Sequence, residues 1–146
     1  MKGKDFMHII KFRLQKEIDS KDSELIKFFK SLEKKDMEKL SSVIMKIEQC
    51  GIDIGIKMKW VKKLDDNLFE IRSKQSSNIQ RVIYFHIYDT EFGSHYIMTH
   101  GFTKKTNKTP KCEIDKGIKI RTEFLSQSEK TIKKILRLWL EGDKNE

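Results

Sequence analysis

Hydrophobic positions recur along this chain with two different periods, and the change of period divides it into a helical part and a sheet-forming part. Phe6–Phe12 is short, bulky and β-prone and predicts an opening strand. Leu25, Phe28, Phe29 and Leu32 then follow at helical spacing, with Ser20 or Asp22 as N-cap. A second amphipathic helix is expected from about Asp36, with Met37, Leu40, Val43, Ile44 and Ile47 on one stripe and Gly51 just past its end. The two helices would form an antiparallel hairpin.

Ile52–Lys63 alternates like a strand at Ile56, Met58 and Trp60 but also holds Gly55, and reads as a loop or short edge segment. Three β-like runs come next: Asn67–Ser73, Ile79–Tyr88 and His95–Phe102. Their linkers are short and polar, so an antiparallel meander is expected. Strand alternation puts Leu68, Glu70 and Arg72 on one face and Phe69 and Ile71 on the other. If Phe69 and Ile71 pack against the helices, Arg72 points into the open face, and Arg81 on the next strand reaches the same space. A helix is predicted from Pro110 through Ile114, Ile118 and Leu125, weakened by Gly117. Ser126 or Ser128 allows a new start, and Ile132, Ile135, Leu136 and Trp139 form a last amphipathic helix that either docks on its own core or faces a partner.

Charge sharpens this picture. The chain has 146 residues and a formal net charge of +9, which fits one domain and favours a polyanionic partner. Residues 1–56 carry twelve cations and ten anions, whereas 102–121 carry seven against two, so +5 of the excess lies in one short stretch. That stretch spans the exit from the last strand and the start of the Pro110 helix, with Thr109 as the expected N-cap and Pro110 as the first helical residue. Backbone N–H groups and ammonium groups at such a junction suit a phosphate. We read it as the rim of an RNA-binding cleft.

Other chemistry finds no support in the motifs. Cys50 and Cys112 have no metal-ligand spacing and read as free thiols. Phosphate-binding glycine loops, HExxH, CxxC and Gly-x-Ser-x-Gly are all absent. No cofactor and no metal are expected. The early apolar run is broken by lysine and arginine, and no apolar stretch reaches spanning length, so a cytoplasmic protein without a membrane partner is expected.

Three stretches together carry a resemblance: KKLDDNLFEIRS (Lys62–Ser73), QRVIYF (Gln80–Phe85) and HGFTKKTNKTPKCEI (His100–Ile114). They resemble the HigB-like, phage-derived branch of the RelE/ParE superfamily of type II toxins, over roughly Phe6–Leu125. The resemblance implies the RelE-like microbial RNase fold, an α+β arrangement of N-terminal strand, two-helix hairpin, antiparallel sheet and C-terminal helix. Here it would occupy residues 1–125, with 126–146 as an added helical extension. It also implies ribosome-dependent cleavage of mRNA, which inhibits translation, and control by a HigA-like helix-turn-helix antitoxin. A ParE-like toxin acting on gyrase and an inactive antitoxin-binding relative are the alternatives.

Metal-free RNA cleavage needs the 2′-hydroxyl deprotonated, the pentavalent phosphate stabilised and the 5′-oxygen protonated. Arg72 and Arg81 are candidates for phosphate stabilisation, since a guanidinium grips two oxygens at once. Lys104 and Lys105 leave the sheet on opposite sides if extended, and Lys105 is favoured as transition-state stabiliser or proton donor. His100 has a suitable unperturbed pKa for acid or base work and is otherwise a packed residue. His86, His95 and His8 are weaker candidates, so the general base stays open. Glu70 would orient Arg72 or Arg81 by an ion pair. Lys62, Lys63, Lys108 and Lys111 are candidate RNA-backbone contacts, and Tyr84, Tyr88 and Phe102 either stack a base or pack.

Overall fold

The longest apolar runs make the longest strands. A computed structural model describes residues 11–14, 24–104 and 108–144. In chain order its elements are β1 (Phe12–Leu14), α1 (Glu24–Ser31), α2 (Lys34–Cys50), α3 (Ile52–Lys57), β2 (Val61–Asp65), β3 (Leu68–Gln75), β4 (Asn78–Asp89), β5 (Gly93–Lys104), α4 (Lys111–Leu125) and α5 (Glu129–Lys144). The five strands form one sheet in the order β1-β5-β4-β3-β2. The fold is α+β, as expected; β3 to β5 are the expected antiparallel meander, and β2 extends it antiparallel at the edge.

Three features differ from the sequence expectation. The opening strand is Phe12–Leu14, and Lys11 is not part of it; the rest of Phe6–Phe12 lies outside the described residues. This strand pairs with β5 in parallel, Phe12 opposite Tyr96 and Leu14 opposite Met98, so the sheet is mixed. Parallel pairing follows from the helical crossover that separates β1 from the meander. Ile52–Lys57, expected as loop or edge, is the short helix α3, and only Val61–Asp65 is the edge strand. Gly51, at φ 95° and ψ 164°, ends α2 with its N–H on Ile47 O at 2.8 Å. Glycine adopts that backbone shape without penalty, which lets α3 start at once. Gly55 is buried because a Cβ there would stand 3.0 Å from Val61 Cγ2; it seats α3 against β2.

Two apolar layers cover the two faces of the sheet. On one face Leu25, Leu40, Val43 and Ile47 pack with Ile71, Val82, Tyr84 and Met98. On the other, Phe85, Ile97 and Phe124 form a core with Ile132, Ile135 and Trp139 against it. The last helix therefore docks on its own core, one of the two readings of its amphipathic stripe.

Two close approaches are encoded by glycine. A Cβ at Gly117 would lie 3.0 Å from Ile83 Cγ2 and 3.2 Å from Leu68 Cδ1, so this glycine lets α4 settle onto the sheet. A Cβ at Gly101 would lie 2.5 Å from Phe28 Cε2, in the seam where α1 meets β5. Gly101→Ala is accordingly expected to lower stability by about 1–3 kcal/mol through overpacking. Chemical denaturation should show the loss, and adding Phe28→Ala should recover less than its own truncation removes.

A bidentate ion pair ties β1 to α5. Arg13 Nη1 and Nη2 donate to Asp143 Oδ1 and Oδ2, each at 2.7 Å, and the Arg13 guanidinium lies 5.9 Å from the Trp139 ring centre. The Arg13 hydrogen bonds hold the Asp143 carboxyl down to about 2, from an ordinary 3.8. A depressed folded-state carboxyl stabilises above its unfolded pKa and loses that contribution as pH falls from 3.8 through about 2. With Asp143 partly solvated, Asp143→Ala should remove about 1–2 kcal/mol near pH 7. Acid unfolding monitored with and without the substitution should show the two proteins converging over that window.

Candidate active site

The register of three strands gathers the charged residues onto the face that α4 covers. Arg72 stands opposite Arg81, Lys62 opposite Glu70, Ile83 opposite His100 and Ile79 opposite Lys104. Opposed residues and residues two apart share a face. Lys62, Glu70, Arg72, Arg81, His100, Phe102 and Lys104 therefore share one.

Glu70 is the hinge of the cluster. It is fully buried, and its Oε2 lies 3.5 Å from Arg72 Nε and 3.5 Å from Arg81 Nε. Both arginines are near enough to be ion-paired, but neither Nε makes a hydrogen bond to that oxygen, which is left unpartnered. Its Oε1 accepts the Thr109 hydroxyl. Arg81 is 3 % exposed and donates from Nη1 to the Gln80 carbonyl at 3.1 Å. Burial, with Arg72 adding to it and Glu70 opposing, lowers the Arg81 pKa.

Lys104 is 7 % exposed, and its Nζ is buried with no hydrogen-bond partner. Burial first, then Arg81, Arg72 and Lys62, push its pKa below the ordinary 10.5, with Glu70 opposing. Lys105 lies outside the described residues, so of the two lysines considered for the phosphate, Lys104 is the one seen beside Arg81.

His100 sits deeper on the same face, 1 % exposed. Its Nε2 lies 3.2 Å from Glu113 Oε1 and its Nδ1 2.9 Å from Thr99 Oγ1. A carboxylate accepts only, so Nε2 carries a proton; the single Thr99 hydroxyl proton lies between two acceptors, the neutral ring's Nδ1 and the Ile83 carbonyl at 3.2 Å. Burial, aided by Lys116, lowers the His100 pKa to about 4, so the ring is neutral at pH 7. Both nitrogens are engaged, and this matches the packed, hydrogen-bonded reading of the residue. Glu113, the acidic residue in the first turn of α4, receives this bond.

The other candidates scatter. Lys63 stands opposite Phe69 and so faces the α2 side, away from Lys62. Lys108 and Lys111 are exposed near the start of α4, with Lys111 Nζ 3.0 Å from Asp115. His86 stacks on Tyr96, with ring centres 4.8 Å apart, and His95 is buried beside Trp139. His8 is outside the described residues. Tyr84 is buried, Tyr88 is exposed away from the cluster at the far end of β4, and Phe102 stacks beside His100. Among the described residues no group of His, Cys, Asp and Glu is arranged to hold a metal ion, and no helix is long and apolar enough to cross a membrane.

Thr109 is the site residue whose role sequence reasoning misassigned. Expected as the N-cap of α4, it instead gives its hydroxyl to Glu70, and Pro110 takes the cap position at φ −62° and ψ 143°. The residue before a proline is held extended, which keeps Thr109 outside the helix with its side chain free for the sheet.

The family model described as phage derived protein Gp49-like (DUF891) matches residues 27–122, from α1 to the last turn of α4. The chain belongs to this family. Gp49-like proteins are a family of RelE/HigB-like toxins, so the match carries the resemblance seen in the three motifs to the family level. No curated protein and no solved structure matches the chain. The Gp49-like span contains the whole Lys62–Glu70–Arg72–Arg81–Lys104 cluster and Thr109, and α5 follows it.

Proposed function

We propose that this Gp49-like protein is the toxin of a type II toxin–antitoxin pair and a ribosome-dependent endonuclease that cuts mRNA and so inhibits translation. The observation that carries the reading is the cluster of half-buried Arg72 with buried Arg81 and Lys104 around Glu70, the one carboxylate there among the described residues. In the proposed reaction the 2′-oxygen of one nucleotide attacks the adjacent phosphorus. The P–O5′ bond breaks, leaving a 2′,3′-cyclic phosphate and a 5′-hydroxyl. Arg72 and Arg81 neutralise the non-bridging oxygens as negative charge gathers there. Lys104, made more acidic by burial and its cationic neighbours, protonates the departing 5′-oxygen.

Nothing in the cluster is a good base for the 2′-hydroxyl. His100 has both nitrogens engaged and Glu70 is committed to Thr109 and two arginines. That step then falls to groups assembled with the translating ribosome, which supports dependence on it. Lys62, Lys108 and Lys111 would meet the RNA backbone. A HigA-like antitoxin with acidic residues would mask the same positive face, in keeping with a toxin family.

Primer extension on a defined mRNA, with and without translating ribosomes, tests the reading. Cuts should appear only with ribosomes, and Arg81→Ala should slow them about 10²–10³-fold; Lys105→Ala, run in parallel, asks whether the next lysine contributes. Intact mRNA in every lane with a folded wild-type protein would overturn the nuclease reading and redirect the search to gyrase.

A further inference from the structure

At the end of the sheet away from the arginine cluster, the β4–β5 turn and the first half of α5 enclose a groove. One carboxylate fixes its shape. Asp89 Oδ2 accepts the N–H groups of Glu91 and Phe92, each at 2.8 Å, while its Oδ1 accepts Lys133 Nζ at 3.0 Å. The Phe92 carbonyl oxygen lies 3.1 Å from Nε2 of buried His95, which holds the turn from its other side chain neighbour. Turn and helix are thus joined before any ligand arrives. Asp89 stands roughly 26 Å along β4 from Arg81, at about 3.3 Å per residue, so this groove and the cluster are separate places.

The groove encloses about 620 Å³, and its lining is one aromatic ring, Phe92, with four cations and two anions. Lys133 is ion-paired to Asp89 and Glu91, and its Nζ lies over the half-buried Phe92 ring, 5.9 Å from the centre. Lys130, Lys134 and Arg137 are exposed and have no carboxylate partner among the described residues. Spaced about one turn apart on α5, they make a row of cations along one wall. The ring fixed at the foot of that row is what separates it from an ordinary solvated helix face. A helical protein partner needs an apolar seam for its anchors, and a single ring does not make one. A single strand of RNA needs cations for its phosphates and a flat apolar surface for a base. This lining has both.

We propose that the groove between the β4–β5 turn and α5 binds single-stranded RNA, with a base against Phe92 and successive phosphates on Lys130, Lys134 and Arg137. The α5 wall lies beyond the Gp49-like span, so the site adds to what that span contains. It does not require the arginine cluster to be catalytic. Where the cluster does cut, the groove gives the same RNA a second hold well away from the cut, and the two holds reinforce each other when one strand reaches both.

The test is fluorescence anisotropy of an end-labelled oligouridylate of about ten nucleotides, titrated with the whole protein over a range of salt. Lys130→Gln, Lys134→Gln and Arg137→Gln combined should weaken binding at least tenfold. The slope of log Kd against log salt should flatten by about 2, the share of three phosphate contacts on a single strand. Phe92→Leu keeps an apolar side chain but loses the ring face, and should weaken binding about fivefold at an unchanged slope. Glutamine at exposed Lys34, Lys35 and Lys57, away from the groove, removes the same charge and should stay within twofold of wild type. Equal loss in that control, an unchanged slope in the α5 variant, or wild-type binding by Phe92→Leu overturns the proposal. So does displacement of the RNA by polyglutamate as readily as by unlabelled RNA, which would assign the face to an acidic protein. Ribosomes take no part in this measurement, so the expected binding without cleavage would keep the groove and remove the nuclease, and cleavage without it would do the reverse.

Discussion

Glu70→Gln is expected to lower stability by about 3–5 kcal/mol, a fall in Tm of about 10–20 °C for a chain of this length. The substitution is nearly isosteric, so the side chain keeps its place in the buried site and the effect is electrostatic. Among the described residues it removes the one negative charge that faces Arg72, Arg81 and Lys104, leaving buried Arg81 and Lys104 and half-buried Arg72 to repel one another. It also takes a charge-assisted acceptor from Thr109, loosening the start of α4. Thermal unfolding gives the size of the loss, and a second measurement gives its cause. Added phosphate should restore more stability to Glu70→Gln than it adds to the wild type, because an anion replaces part of what the carboxylate supplied. A Tm within a few degrees of wild type would show that the cluster is solvated enough to do without its counter-ion.

Lys104→Met is expected to act in the opposite direction on stability and to abolish cleavage. Methionine fills the same slot without a buried, unpartnered ammonium, so the free protein should gain about 1 kcal/mol or more near pH 7. The sign with pH follows from the lowered Lys104 pKa. Below its folded-state value the full penalty of the buried charge is present. As pH rises between that value and the ordinary 10.5, the folded chain gives up a proton that the unfolded chain keeps, and the wild type gains on the variant. Denaturation curves from pH 7 to 10 should therefore converge. A variant less stable than wild type at pH 7 would mean that Lys104 contributes by packing or by an interaction with solvent, and would weaken its assignment to the phosphate. A gain in stability joined to a loss of cutting would mark Lys104 as a residue kept for chemistry at the expense of the fold.

Much of this architecture is legible in the sequence. Period-2 alternation is enough to place Glu70, Arg72 and Arg81 on one face, because it depends on nothing but strand geometry. The helical stripes at Leu25–Leu32 and Leu40–Ile47 likewise announce their buried sides. What alternation cannot settle is the face on which Lys104 falls. That depends on the irregularity between Ile83 and Tyr84, which carries the β4–β5 pairing from His100 to Met98, and one residue of register exchanges the faces. Nor does local pattern reveal the role of Thr109, whose partner is 39 residues away, or the burial of His100, which depends on Glu113 reaching back from α4. The parallel pairing of β1 and the helical turn of Ile52–Lys57 are tertiary outcomes of the same kind. Residues with a local reason for their conformation were legible, and residues recruited by a distant partner were not.

The clasp between Arg13 and Asp143 spans 130 residues of chain. β1 likewise waits for β5, since Phe12 has no strand neighbour until Tyr96 has been made. Closing loops of that length is slow compared with forming the β3–β4–β5 hairpins. The meander should therefore assemble first, carrying Glu70, Arg72, Arg81 and Lys104 on it, and the two ends should lock afterwards. In pulse-labelling hydrogen exchange the amides of β3 and β4 should gain protection before those of β1 and α5. A nascent chain would thus hold its cluster of cations together before the covering helices and the clasp are in place. That interval is when an acidic partner would find the face most open.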